Sequence, residues 1–389
     1  MNLGIIPYHD WRKILKEGNR TRDSHFIYHL KKNKNINNVI IINRPISYIE
    51  LFVKKNNLPI QGVVVSRYGN GSLYQVESNL FVFDYKVHDY LGPILKKQSW
   101  FFSQFSKEKY YISLKECLQI SGLSMDFVLN QNIFSSGFIE KLPVPSLFDA
   151  WDNFLLFPEN KKFYNLYLNS YKSLANTSKI WITNSTKNVD FYYQNYSLNK
   201  CILIKNGVDF ERFQQNYPLP EQLKNLKGEI VGFGGKITHL FDTEIYNYIT
   251  LNNPDKSFVL VGQILNKEVF SKIEFRNNVF YFGDIFYEDY PAYVTNFTFG
   301  IIPYVTNELE HGADTIKMYE YLAAGLNVIG TEGAGMESMK NFVKIAKDKF
   351  EFNSLLTQSN NHYLTSELSS EYSWKSKTDI LLELINDNI

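Results

Sequence analysis

His311-Gly-Ala-Asp-Thr-Ile-Lys-Met-Tyr-Glu-Tyr-Leu-Ala-Ala-Gly-Leu-Asn-Val-Ile-Gly330 reads as a helix running into a strand. Asp314 is placed to cap the helix N-terminus. Ile316, Tyr319, Leu322 and Ala323 supply an apolar stripe, and Gly325 ends the helix. Asn327-Val-Ile-Gly330 is then a β-branched run, the signature of a buried strand. Lys317 and Glu320 are three apart and share one helical face. A helix N-terminus with a lysine beside it attracts anions, and a carboxylate one turn further in can accept hydrogen bonds from a diol. An ion pair on a solvated face would use the same two residues, and such pairs are weak. The rest of the chain has to decide.

Upstream the same alternation repeats. Glu229-Ile-Val-Gly-Phe-Gly-Gly-Lys236 is a strand entering a glycine turn. Ser257–Gly262, Val279–Gly283 and Phe299–Pro303 are further strands, with Asp242–Ile249 and Tyr290–Asn296 as helices between them. In the first half, Leu3–Pro7, Val39–Asn43, Gly62–Ser66, Leu80–Phe83, Lys179–Thr183 and Lys200–Ile204 read as strands, and Asp23–Lys32 as a helix. Strands alternating with helices predict parallel sheets covered on both faces. The boundary falls near 205–228, which divides the chain into residues 1–210, a linker 211–228, a second domain 229–368 and a terminal helix in 369–389.

Two domains suit 389 residues. Hydrophobic residues at 44% and charged residues at 21% describe a folded globular chain and exclude a disordered one. Cys117 and Cys201, with no CxxC, point to a reduced compartment, and no metal-ligand spacing is present. The opening Met1-Asn-Leu-Gly-Ile-Ile-Pro-Tyr lacks a basic stretch before a long apolar one, so neither a signal peptide nor a spanning helix is expected. The net charge of +1 conceals an asymmetry: residues 1–200 carry 25 Lys and Arg against 15 Asp and Glu, and the remainder 16 against 25. A basic half fits anionic lipid head groups or a phosphorylated acceptor. The positive residues do not gather on one recognition helix, so nucleic acid is not an expected partner.

Four segments in order resemble one family. Asn206-Gly-Val-Asp209 with Phe213, Gly232-Phe-Gly-Gly-Lys236 with Asp242, Asn278-Val-Phe-Tyr-Phe-Gly283, and Lys317-Met-Tyr-Glu-Tyr-Leu-Ala-Ala-Gly325 are similar to segments of the nucleotide-sugar-dependent glycosyltransferases of GT-B architecture. The resemblance is continuous over about 130–335. It is closest to the branch of xanthan glucuronosyltransferase and the teichuronic-acid glycosyltransferases, which also carry an acidic segment like Ser146-Leu-Phe-Asp-Ala-Trp-Asp-Asn153. It implies an α/β fold of two facing Rossmann-like domains with parallel sheets and a cleft between them. Retaining relatives carry a Glu eight residues before the ribose-binding Glu. Gly312 stands there, with Glu310 and His311 before it.

For a donor diphosphate the resemblance implies Lys317 and its helix start, Asp314, Thr315 and Met318, together with Gly234, Gly235 and Lys236, whose backbone N–H groups can approach phosphates. Phe282 and Gly283 are expected at the base and Glu320 at the ribose. Charge neutralisation is assigned to these groups, with no cofactor and no metal, and a UDP-sugar is the favoured co-substrate. Asp152 is the leading base, Asp149 the second, since two carboxylates among Phe148, Trp151 and Phe154 occupy partly apolar surroundings that raise a pKa. In the loop after the first strand, His9, Arg20, Arg22 and Asp23 are acceptor-binding candidates, with His25 to orient the acceptor. His88 is a lesser candidate.

The expected activity is transfer of one sugar to a saccharide or lipid-linked acceptor in bacterial surface polysaccharide synthesis. Inversion is favoured because Gly312 occupies the retaining Glu position. The expected location is cytoplasmic, with peripheral contact to the inner membrane through the basic half. Two alternatives share the pattern: a sugar-nucleotide epimerase, which would act on donor alone, and an inactive partner-binding homologue.

Overall fold

The computed structural model describes residues 1–53, 59–306, 314–357 and 370–388, with side chains at 52 and 53 excepted. It divides into two compact units, Met1–Ile204 with Thr378–Ile389, and Lys205–Lys377.

The first unit is built on β1 (Asn2–Ile6), β2 (Asn38–Ile42), β3 (Ile46–Ser47), β4 (Val63–Tyr68), β5 (Gly71–Glu77), β6 (Leu80–Val87), β7 (Phe127–Asn130), β8 (Ser146–Asp149), β9 (Ile180–Thr183) and β10 (Lys200–Leu203). The sheet runs β10-β9-β8-β7-β1-β2-β6-β5-β4, with β3 beside β6. From β10 to β6 all pairs are parallel, whereas β4–β5–β6 are antiparallel. That edge departs from the purely parallel expectation. Gly69-Asn70 makes a two-residue hairpin loop with Gly69 at φ +57°, and a tight turn dictates antiparallel pairing. β1, β2 and β7–β9 are buried almost throughout, because helices cover both faces. Aromatic rings fill the space between, among them Trp181, Tyr171, Tyr192 and Phe148.

The second unit holds β11 (Ile230–Gly234), β12 (Ser257–Val261), β13 (Val279–Tyr281), β14 (Phe299–Ile302), β15 (Asn327–Thr331) and β16 (Lys344–Ala346), all parallel, in the order β13-β12-β11-β14-β15-β16. Residues 211–228, read as a linker, cluster with this unit, as do residues 205–210 before them, and Phe210, Phe213 and Leu223 are buried in its core. Val208 pairs with Ser373: the Val208 N–H donates to the Tyr372 carbonyl at 2.9 Å, and the Val208 carbonyl accepts from the Trp374 N–H at 3.3 Å. Gly207 permits this approach, since a Cβ there would stand 2.8 Å from the Tyr372 oxygen. The helix Trp374–Asn386 starts in the second unit, and its residues from Thr378 cluster with the first.

In each sheet the strand order reverses beside the first strand of its unit, at β1/β7 and at β11/β14. Open α/β sheets form their ligand crevice outside the carboxyl ends at such a reversal. The loops after β1 and β11 are therefore the places to look.

Candidate functional site

In the second unit three glycine-bearing loops follow adjacent strands. The Gly235 N–H donates to the Val261 carbonyl at 2.8 Å, and the Gly262 N–H to the Gly283 carbonyl at 2.7 Å. Gly262 has φ +136°, and a Cβ there would lie 1.9 Å from the Gly235 oxygen, so only glycine lets the two loops touch. The Gly234 N–H donates to the buried Tyr321 hydroxyl at 2.7 Å. Phe282 stacks on Phe280 at the end of β13.

Lys317 reaches this shelf from the first turn of the helix Ile316–Ala323. Its Cε lies where a Cβ on Gly235 would be only 2.6 Å away. The ammonium donates to Thr315 Oγ1 at 3.1 Å and to the Tyr304 hydroxyl, and sits over the Phe233 and Tyr304 rings at 5.4 and 4.9 Å. Gly234, Gly235, Thr315 and Lys317 are thus brought together, with Lys236 next in the loop. Glu320, one turn on, is buried, and its Oε1 accepts from Tyr287 Oη at 2.7 Å. Burial pushes its carboxyl up to about 7, against the opposing Tyr287 hydrogen bond and the charges of Lys317 and Arg212. Arg212 lies over the Tyr287 ring at 4.9 Å.

Two expectations on this helix need correction. Asp314 does not cap it: the N-cap is Thr315, whose side chain makes no capping bond. The Asp314 carboxylate instead accepts from the Asn206 N–H at 2.7 Å and the Tyr319 hydroxyl at 2.8 Å, and Gly335 lies against it. It ties the Asn206-Gly-Val-Asp209 segment to the helix start. Met318 faces the apolar core and is fully buried, because one residue past Lys317 turns the side chain about 100° away. Glu310, His311 and Gly312 lie outside the described residues. Tyr287, Tyr304 and Tyr321 were not anticipated, and nothing in their local sequence marks them. Tyr321 lay unremarked inside the quoted helix, and Arg212 stands just before the quoted Phe213.

In the first unit, His9 follows β1, and its backbone N–H and ring Nδ1 both contact Asp23 Oδ2 at 2.9 Å. Burial would raise the Asp23 carboxyl, but the His9 charge and the hydrogen bonds from His9 and Thr21 outweigh it and hold it well below the usual range. Tyr8 packs edge-on against His9 and Trp151. Burial, with the Asp152 charge second, pushes the Tyr8 hydroxyl up to about 12. His9 and Trp151, the residue before Asp152, therefore pack on the same ring. The Asp152 carbonyl accepts from the Tyr171 and Tyr192 hydroxyls, both at 3.1 Å, which fixes its backbone.

Other candidates are already engaged. Asp149 is fully buried, with Arg22 Nε 2.9 and 3.1 Å from its two oxygens and Gln131 Nε2 at 2.9 Å. Arg22 and Asp149 thus satisfy one another, in place of an acceptor and a substrate proton. Arg20 donates to Glu17 at 3.0 Å. His25 is fully buried inside the helix Arg22–Leu30. No group of three or more His, Cys, Asp or Glu that could hold a metal ion occurs among the described residues, and no helix among them is long and apolar enough to cross a membrane.

No protein-family model matches the chain. Solved structures align over nearly its whole length. A sucrose-phosphate synthase from Thermosynechococcus elongatus shares 12% identity at TM-score 0.71 and covers 100% of this chain and 98% of its own. Anabaena HepE, solved with UDP and glucose, shares 13% at TM-score 0.64 and covers 99% of each. The chain therefore belongs to the GT-B class of folds, built from two Rossmann-like units. Among curated sequences it is 31% identical over 136 residues to TuaH of Bacillus subtilis strain 168, provisionally named a teichuronic acid biosynthesis glycosyltransferase. The match spans 34% of this chain and about a third, 34%, of that relative.

Proposed function

We propose that this chain is a glycosyltransferase that moves a sugar from a nucleotide donor, with UDP the favoured carrier, to a saccharide or lipid-linked acceptor in bacterial surface polysaccharide synthesis. The observation that carries the reading is Lys317, held over the Gly235 loop at a helix N-terminus, beside the strand-order reversal of the second sheet. The partial similarity to TuaH and the UDP and glucose bound by HepE support it.

In this scheme the donor diphosphate lies along Gly234-Gly235-Lys236 and is neutralised by Lys317 and backbone N–H groups, without a metal. Phe282 and Gly283 flank the base. Glu320 accepts from the ribose hydroxyls, exchanging its Tyr287 partner. Asp152 takes the proton from the acceptor hydroxyl, whose oxygen attacks the anomeric carbon as the nucleoside diphosphate leaves with the bonding pair. Direct displacement inverts that centre. His9, oriented by Asp23, positions the acceptor. The basic first half is assigned a peripheral contact with the cytoplasmic face of the inner membrane.

Thermal unfolding against UDP, GDP, dTDP, CMP and their sugar conjugates tests the donor site. A ligand at ~100 times its dissociation constant stabilises by roughly 2.7 kcal/mol. One base should stand out, and Lys317→Ala should abolish its shift. Silence towards every nucleotide would overturn the reading, and normal turnover in Asp152→Ala would overturn the base.

A further inference from the structure

Among the described residues, the longest run of exposed apolar side chains in the first unit lies outside the candidate site. Tyr90, Leu91, Ile94 and Leu95 are 55, 63, 57 and 73% exposed. They belong to the short helix Gly92–Lys96 and the two residues before it. The segment is built. Asp89 Oδ1 accepts from the Gly92 N–H and Oδ2 from Trp100 Nε1, both at 2.8 Å, and Trp100 is fully buried. Gly92 lies so close to Trp100 that a Cβ would be 2.5 Å from its ring. The base of the helix is thus clamped while its apolar side chains face solvent, an arrangement that costs free energy unless something covers them.

Charge says what covers them. Between His88 and Tyr110 the exposed lysines are Lys96, Lys97, Lys107 and Lys109. The acids are Asp89, committed to Gly92 and Trp100, and Glu108, paired with Lys141 at 2.8 Å. Tyr48, itself exposed, lies tilted against the His88 ring at 4.5 Å and adds a second amphipathic ring to the rim. Apolar side chains ringed by lysines and tyrosines match the boundary between acyl chains and anionic head groups.

We propose that Tyr90–Lys97 is a membrane-docking wedge, inserting Leu91, Ile94 and Leu95 into the outer acyl region of an anionic bilayer while Lys96 and Lys97 meet the head groups. This gives a place on the fold to the peripheral contact assigned above, and it rests on that reading. A protein surface would be served by the apolar side chains without the lysines, so the bilayer is the occupant the charges select.

The test is sedimentation of the full chain with phosphatidylglycerol/phosphatidylcholine vesicles, and with phosphatidylcholine alone. Leu91→Ser/Ile94→Ser/Leu95→Ser should abolish binding and leave thermal unfolding and the nucleotide-induced shift unchanged. Lys96→Gln/Lys97→Gln should weaken binding to anionic vesicles about 25-fold, roughly 5-fold per lysine, and leave the weaker binding to phosphatidylcholine alone unaltered. Tyr90→Trp should show a blue-shifted emission on vesicles. Wild-type binding that survives in the triple serine variant overturns the wedge while the peripheral reading stands. Absence of wild-type binding overturns both, and the nucleotide shift then reports separately on the transferase reading. A change in sedimentation from dimer to monomer in the serine variant, without vesicle binding, would make the occupant a second copy and also overturn the proposal.

Discussion

Asparagine at position 149 separates a structural carboxylate from a reacting one. Asp149 ends β8 fully buried, and its two oxygens face Arg22 Nε at 2.9 and 3.1 Å. Asp149→Asn keeps the shape and the Gln131 contact but strips the charge from the pair. Arg22 is itself buried, with its guanidinium over the Phe26 ring at 4.8 Å. Removing one partner of a buried pair costs about 3–5 kcal/mol, a large part of the roughly 5–15 kcal/mol that holds a domain together. At about 2–4 °C per kcal/mol for a unit of this size, the melting temperature of the first unit should fall by roughly 6–20 °C. Urea unfolding should show a lower midpoint at constant slope, and nucleotide affinity should not change. Arg22→Met combined with Asp149→Asn should recover most of the loss, because neither charge is then stranded. If Asp149→Asn unfolds at the wild-type midpoint while turnover falls to background, Asp149 is the base and the structural assignment is wrong.

Three further outcomes follow from the second unit. Tyr321→Phe leaves the Gly234 N–H without its buried acceptor, which should cost about 1–3 kcal/mol in urea unfolding and weaken nucleotide binding. Gly262→Ala places a methyl group 1.9 Å from the Gly235 oxygen at φ +136°. Strain alone is worth about 1–3 kcal/mol, and the displaced Gly235 loop should lower nucleotide affinity at least ~10-fold; wild-type affinity would disprove the shelf. Glu320 has a carboxyl near 7 against an ordinary 4.5, so the native state holds its proton longer than the unfolded one. Stability should therefore be highest at or below pH 4.5 and fall as pH rises towards 7, by up to about 3 kcal/mol at ~1.4 kcal/mol per unit. Nucleotide affinity should rise later, as pH passes through about 7 and the native carboxylate forms. Glu320→Gln should flatten both profiles.

The elements that stood out in the sequence were those with strong periodicity or punctuation. The stripe Ile316, Tyr319, Leu322, Ala323 with Gly325 behind it gave the helix, and the glycines at 234–235, 262 and 283 gave the strand ends of the shelf beneath Lys317. Lys317 above that shelf was legible because the helix fixes its direction. β7 and β8 were missed, being four residues each between aromatic helices. Missing them hid the partner of Arg22, since the 127 positions that separate Arg22 from Asp149 are bridged by the register β1–β7–β8. Asp314 was misread because a carboxylate before a helix looks like a cap whether or not a distant Asn206 and Tyr319 claim it. The antiparallel edge was missed at Gly69-Asn70, where the turn signal was present but unused.

Val208 and Ser373 lie side by side, although 165 residues of chain separate them. A segment whose two ends are stitched together at its root is a cassette. The unit between them enters and leaves at one place, just before the helix Trp374–Asn386, and inserts with adjacent termini are those that hosts tolerate. For an engineer this is a seam: the unit to which donor binding is assigned in the proposed function can be exchanged there without rewriting the residues around His9, Asp23 and Asp152.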